Sequence, residues 1–131
     1  MRYTAGMEKN ALILFAHGAR DPEWANPMRR VQAAVRQRQP GLRVELAFLE
    51  FMTPTLADCA RQLVGEGYAA IAIVPMFIAQ GGHLKNDVPK LLDELRSAHP
   101  EVRFVLGPPV GEAEAIVQAM ADYAVGLADG F

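Results

Sequence analysis

The chain is poor in cysteine, with Cys59 alone among 131 residues, so no intrachain disulfide can form. Cys59 falls in a helical pattern and reads as a small core residue rather than a nucleophile. No apolar run approaches the roughly 20 residues of a membrane span. The start, Met1-Arg-Tyr-Thr-Ala-Gly-Met7, lacks the apolar segment of a secretory signal, and the expected compartment is the cytosol. Excess charge is also missing. A net charge of −2 gives no general attraction to nucleic acid or to an anionic membrane, and neither is expected as a partner. The glycine-rich spacing and lysine–threonine pair of a nucleotide-binding P-loop are absent, as is a tight four-ligand zinc motif.

What is present is a regular alternation. Apolar runs at Leu12–Ala16, Val44–Phe48, Ala70–Val74 and Val102–Leu106 read as buried strands. Helical stripes follow each of them: Met28, Val31 and Val35; Leu56, Ala60, Leu63 and Val64; Val88, Leu91, Leu92 and Leu95; and Ala113, Ile116, Val117, Met120, Ala124 and Leu127. Asn26-Pro27 and Thr53-Pro54 read as a cap followed by proline at the first helical position, and Asp87 as the cap of the third helix. Residues 1–10 lack periodicity and are expected to form a flexible lead-in; Met7 is an alternative start. Residues 11–131 form a single domain. The β-α-β-α-β-α-β-α order implies an α/β fold, an open parallel sheet of four strands with helices on both faces. A flavodoxin-like strand order of 2-1-3-4 is expected, because it sets strands one and three side by side.

Ligands of open α/β sheets bind beyond the carboxyl ends of the strands. His17 follows the first strand directly, Glu50 lies just past the second, and Gly81-Gly82-His83 follows the third. Each signal has a plain structural reading: His17 bonded to a neighbouring carbonyl, the glycine pair as a turn. Converging imidazoles with Glu50 would instead give a two-nitrogen, one-oxygen set with open positions for a divalent metal. His99, before Pro100 at a helix end, reads as a surface residue. Trp24 and Phe77 suit either packing or an aromatic ligand. Arg20, Lys85 and Lys90 suit either carboxylates or solvent.

Three stretches in order, Phe15-Ala-His17-Gly-Ala-Arg20-Asp-Pro22, Phe48-Leu-Glu50-Phe-Met-Thr-Pro54 and Pro75-Met-Phe-Ile-Ala-Gln-Gly-Gly-His83-Leu-Lys-Asn-Asp87-Val-Pro89, resemble the sirohydrochlorin chelatases. The resemblance runs from Ala11 onward. It implies a class II chelatase, a lyase inserting cobalt, iron or nickel into sirohydrochlorin without ATP, in cobalamin or siroheme biosynthesis. Cobalt is favoured, and the divalent ion is substrate rather than retained cofactor. The resemblance implies that His17 and His83 bind the metal and that a histidine or Glu50 takes a pyrrole proton. Arg20, Gly81, Gly82 and Lys85 would contact the polycarboxylate macrocycle. The short form in that family assembles as a homodimer, and longer relatives hold two such domains in one chain. Ala19 stands where the family often has serine, which removes a hydroxyl contact. Two rivals remain: a non-catalytic metal or tetrapyrrole carrier, and a histidine phosphatase. The latter requires an arginine just before its His-Gly pair, and this chain has Ala16 there.

Overall fold

A computed structural model describes residues 9–131. Four parallel strands, β1 (Asn10–Ala16), β2 (Arg43–Phe48), β3 (Ala70–Pro75) and β4 (Arg103–Leu106), lie in the order β2-β1-β3-β4, as expected. The helices are α1 (Asn26–Arg38), α2 (Leu56–Gly65), α3 (Gly82–Ala98) and α4 (Glu114–Ala128), with single-turn 3-10 segments at Pro22–Ala25 and Val110–Glu112. The lead-in expected over residues 1–10 falls largely outside the described residues, as does Met7. Lys9 and Asn10, however, belong to the fold. The Lys9 carbonyl accepts from the amides of Ala69 and Ala70, and Asn10 opens β1 opposite Ala70.

The apolar strand runs are uninterrupted because both sheet faces need cover. On one face Ile13, Phe15, Ile71, Ile73 and Phe104 pack against Leu56, Cys59, Ala60 and Leu63 of α2 and Val88, Leu92 and Leu95 of α3. Burial pushes the Cys59 thiol up to about 12, consistent with an inert core residue. Phe77 meets Phe15 edge-on at 5.8 Å between ring centroids and belongs to this core rather than to a ligand face. On the other face α1 lies over β2 and β1. Gln32 and Arg36 both donate to the Val44 carbonyl, and Met28 packs near Phe48 and Leu46. Arg43 at the start of β2 donates to Glu45 and Glu66 at 2.6 Å each, and this pairing holds the Glu66 carboxyl below its ordinary range.

Three expected features differ. Thr55, not Thr53, caps α2, its hydroxyl accepting from the Asp58 amide, and the Thr53–Pro54 bond is cis. Asp87 does not cap α3. That helix starts a turn and a half earlier, with Gly81 as its N-cap and Pro89 inside it. Proline there removes the amide that would bond the Lys85 carbonyl, but the residue is exposed and water can take the acceptor. The third concerns α4. Its apolar stripe predicts a buried face, yet none of its residues is buried. Cover of the second sheet face therefore stops at α1.

Candidate metal and macrocycle site

The carboxyl ends of β1, β2 and β3 are locked in register by a short ladder beyond the strands. The Leu49 amide donates to the Ala16 carbonyl at 2.9 Å, Glu50 to His17 at 3.1 Å, and Met76 to Phe15 at 2.8 Å. Gly18 makes the closest approach possible. Its φ is +93°, and a Cβ there would overlap the Glu50 carbonyl oxygen. Only glycine suits both the backbone angle and the contact. The loop after β1 is thus pressed against the loop after β2, and this sets the side chains of His17 and Glu50 beside one another.

His17 Nε2 and Glu50 Oε1 are 3.8 Å apart, and both side chains are about half exposed, at 46% and 49%. His17 Nδ1 lies 3.3 Å from the Gly18 carbonyl. In the tautomer that satisfies this carbonyl, Nδ1–H donates and Nε2 keeps its lone pair, turned toward Glu50. A backbone carbonyl commonly fixes a metal-ligating histidine in this way. The plain reading of His17, a bond to a neighbouring carbonyl, and the functional one are therefore the same geometry seen from two nitrogens.

His83 stands in the first turn of α3, not in the loop before it, and it is exposed. The strand before it, β3, neighbours β1, so α3 and the loop carrying His17 start from the same end of the sheet. Among the described residues, no three His, Cys, Asp or Glu side chains close into a metal-holding group. The donors of one chain form an open pair, His17 with Glu50, and His83 stands separately. Gly81 and Gly82 have empty space where a Cβ would lie. Lys85 is exposed on α3. His99 ends α3 far along the helix, tilted against the Phe104 ring at 6.2 Å, and takes no part.

Arg20 stacks over the Phe51 ring at 4.8 Å. The two border an open depression of about 310 Å³ that also takes in Ala19, Arg29 and Met52. Arg29, held by the Pro22 carbonyl and Asn26 Oδ1, and Phe51, at φ 67°, line this depression and were not singled out from the sequence. Phe51 sits next to Glu50, which was a usable signal; Arg29 sits on a helix face where any cation would look solvated. Each loop after β1, β2 and β3 presents one large exposed apolar side chain, Trp24, Phe51 and Ile78 respectively.

A parallel α/β sheet whose strand ends carry a half-exposed imidazole–carboxylate pair, with an arginine and apolar side chains nearby, has the layout of a small-molecule binding domain. Comparison with known proteins makes the class specific. The family model described as CbiX matches residues 11–125, and the chain belongs to that family. A sirohydrochlorin cobaltochelatase from Sulfurisphaera tokodaii is 31% identical over 111 residues, covering 85% of this chain and 88% of the relative. A CbiX protein of cobalamin (vitamin B12) biosynthesis from Marinobacter aquaeolei VT8 superposes with a TM-score of 0.81 at 25% identity, over 93% of this chain and 99% of that one. The sirohydrochlorin chelatase SirB from Bacillus subtilis subspecies spizizenii, in complex with cobalt, gives 0.72 at 27% identity. This chain covers 47% of SirB, while SirB matches 85% of this chain.

Proposed function

We propose that this chain is a sirohydrochlorin chelatase that inserts a divalent metal, cobalt in the first place, into the macrocycle without a nucleotide. The observation that carries the reading is the His17–Glu50 pair at the end of β1 and β2, in a chain of the CbiX family. Insertion exchanges two pyrrole protons for one metal ion, so the site must hand over a cation and receive protons. His17 Nε2 is the donor that meets the ion, with His83 from the first turn of α3 as a second imidazole that would join it in capture. Glu50, 3.8 Å from that nitrogen, draws the cation in and accepts a pyrrole proton, the geometry asked of a general base. The macrocycle's carboxylates fit the guanidinium groups of Arg20 and Arg29, with Lys85 as a further cation. Its flat apolar body fits Phe51, Trp24 and Ile78, and the bare backbone at Gly81 and Gly82 lets it come close.

The site is a single open wall, and its donors are half exposed. A second copy facing it would enclose a large planar substrate, and we assign the chain to a homodimer working in the cytoplasm. The test is metal insertion into sirohydrochlorin followed by absorbance, with cobalt, iron and nickel compared. Turnover of many metals per protomer, fastest with cobalt, is the expected result. Stoichiometric uptake that stops at one metal per protomer would make the protein a carrier instead.

A further inference from the structure

Phe51 is the one residue other than glycine, among those described, whose backbone lies in the left-handed region, at φ 67°. Glycine, asparagine or aspartate would sit there at little cost, whereas a bulky side chain raises the energy of the turn. Burial does not offset it. The ring is 56% exposed and packs on neither apolar core. A strained backbone carrying an exposed aromatic ring is the kind of outlier that accompanies a binding role. What the ring does meet is the guanidinium of Arg20, 4.8 Å from its centroid.

Arg20 in turn has no other partner among the described residues. The carboxylate next to it in the chain, Asp21, is turned back on the Glu23 amide at 2.9 Å, and Glu50 faces His17. The N–H donors of Arg20 are therefore open to a ligand. The depression of about 310 Å³ that Arg20 and Phe51 border is also lined by Arg29, which uses only Nη1 on the protein, for the Pro22 carbonyl and Asn26 Oδ1. Its Nη2 and Nε are left over. Among the described residues, no acidic side chain lines the depression. Arg20 follows His17 by three residues and Phe51 follows Glu50 directly, so the two arise from the same loops as the imidazole–carboxylate pair.

We infer that Phe51 is a positioning residue for substrate recognition: its ring fixes the Arg20 guanidinium beside the depression, where Arg20 and Arg29 together take one carboxylate arm of the macrocycle. An unsupported arginine side chain gives up many rotamers when it meets an anion, and one already resting on an aromatic face gives up fewer. A guanidinium also offers a carboxylate paired parallel donors, which fixes the direction of the arm as well as its charge. The backbone strain is the means. The left-handed turn directly after Glu50 leaves the ring outside the core and within reach of Arg20. The inference rests on the chelatase reading and deepens it, since it assigns how one substrate arm is gripped and which residue organises the grip.

Phe51→Gly separates this role from a structural one. Glycine suits the backbone angle, so the variant should keep or raise the parental urea midpoint while it loses the platform. Sirohydrochlorin is titrated without metal, followed by absorbance, and cobalt insertion is then measured for KM and kcat. Phe51→Gly and Phe51→Leu should each raise Kd and KM for sirohydrochlorin about 3- to 10-fold, through the lost cation–π contact and lost preorganisation, with smaller changes in kcat and in cobalt affinity. Phe51→Tyr, which keeps the ring, should recover most of that loss. In an Arg20→Ala background, itself weaker by roughly tenfold or more, Phe51→Gly should cost much less than it does in the parent, because the ring acts through that guanidinium. Parental Kd and KM in Phe51→Gly, an equal loss with and without Arg20, or a loss that Phe51→Tyr does not recover would overturn the inference and leave the chelatase reading in place. A parent chain that neither binds sirohydrochlorin nor inserts cobalt would overturn both.

Discussion

Replacing Gly18 by alanine probes the contact that sets the site, and its consequences can be worked out in advance. The added methyl meets the Glu50 carbonyl oxygen well inside van der Waals distance and comes within 3.1 Å of the carbonyl carbon. Both atoms are backbone, held by the Glu50 amide's own bond to His17, so no flexible side chain can move aside. The positive φ adds a second cost, about 1–2 kcal/mol for a residue with a Cβ. Overpacking of a closed contact costs about 1–3 kcal/mol, giving about 2–5 kcal/mol together. With a urea slope of about 1–3 kcal/mol per molar, the unfolding midpoint should fall by on the order of 1–2 M. Activity should fall further than stability, since relief of the overlap moves Glu50 away from His17. Cobalt insertion is therefore measured at a temperature where the variant is fully folded. Gly41→Ala is the control, because nothing lies within 4 Å of a Cβ there. A Gly18→Ala protein within about 0.5 kcal/mol of the parent, inserting cobalt at the parental rate, would refute the clamp.

Three further outcomes follow from the same geometry. His17→Ala and His83→Ala should each weaken cobalt binding, while His99→Ala leaves the titration unchanged; in the parent protein cobalt should bind more weakly as pH falls, because protons compete for the ligand nitrogens. Glu50→Gln should bind cobalt near normally and insert it roughly 10²-fold more slowly if proton acceptance dominates; if charge attraction dominates, raising cobalt should restore the rate. On the acid side, Glu66 has its carboxyl lowered first by Arg43 and then by Gln62, so its contribution to stability is present above the ordinary carboxylate range. It is lost as pH falls through the lowered value. Glu66→Gln should flatten that limb of the pH–stability curve, measured by urea melts between neutral and acid pH.

The strands were legible because a buried parallel sheet demands unbroken apolar runs, and 12–16, 44–48 and 70–74 all lie inside observed strands. The neighbouring placement of β1 and β3 followed from the expected order and is what the sheet has. Helix starts were less legible where proline offered two answers. Asp87-Val-Pro89 has the look of a cap, but the backbone was already helical from Gly82, and an exposed proline could be absorbed. Thr53 lost to Thr55 because the capping hydroxyl must reach the amide three residues on, which for the observed helix is Asp58. Within the candidate site, His17 and Glu50 were picked out from strand ends alone, and the structure sets them side by side. Their pairing depends on Gly18, whose role appears only once the Glu50 carbonyl is in place. Arg29 was passed over because its place on a helix face looks solvated, and Phe51 although its position next to Glu50 could have marked it. For α4 the apolar stripe implied a buried face, and the structure buries none of its residues, because periodicity reports composition along a helix and not whether a surface lies against it.

If His17 and Glu50 handle the metal as proposed, their half-open state bears on how the ion would pass through the site. A caged ion with all its positions filled by side chains would be released slowly, and each cycle would wait on that release. In the role proposed above, two half-exposed donors would leave most of a cation's coordination sphere to water, so an arriving ion could exchange those waters for ring nitrogens one at a time. Such a site would work by transit rather than storage. Its occupancy at rest should follow the free metal around it, and small chelators in solution should compete with it directly. The supply of available cobalt, more than the affinity of the protein, would then set the pace of the reaction.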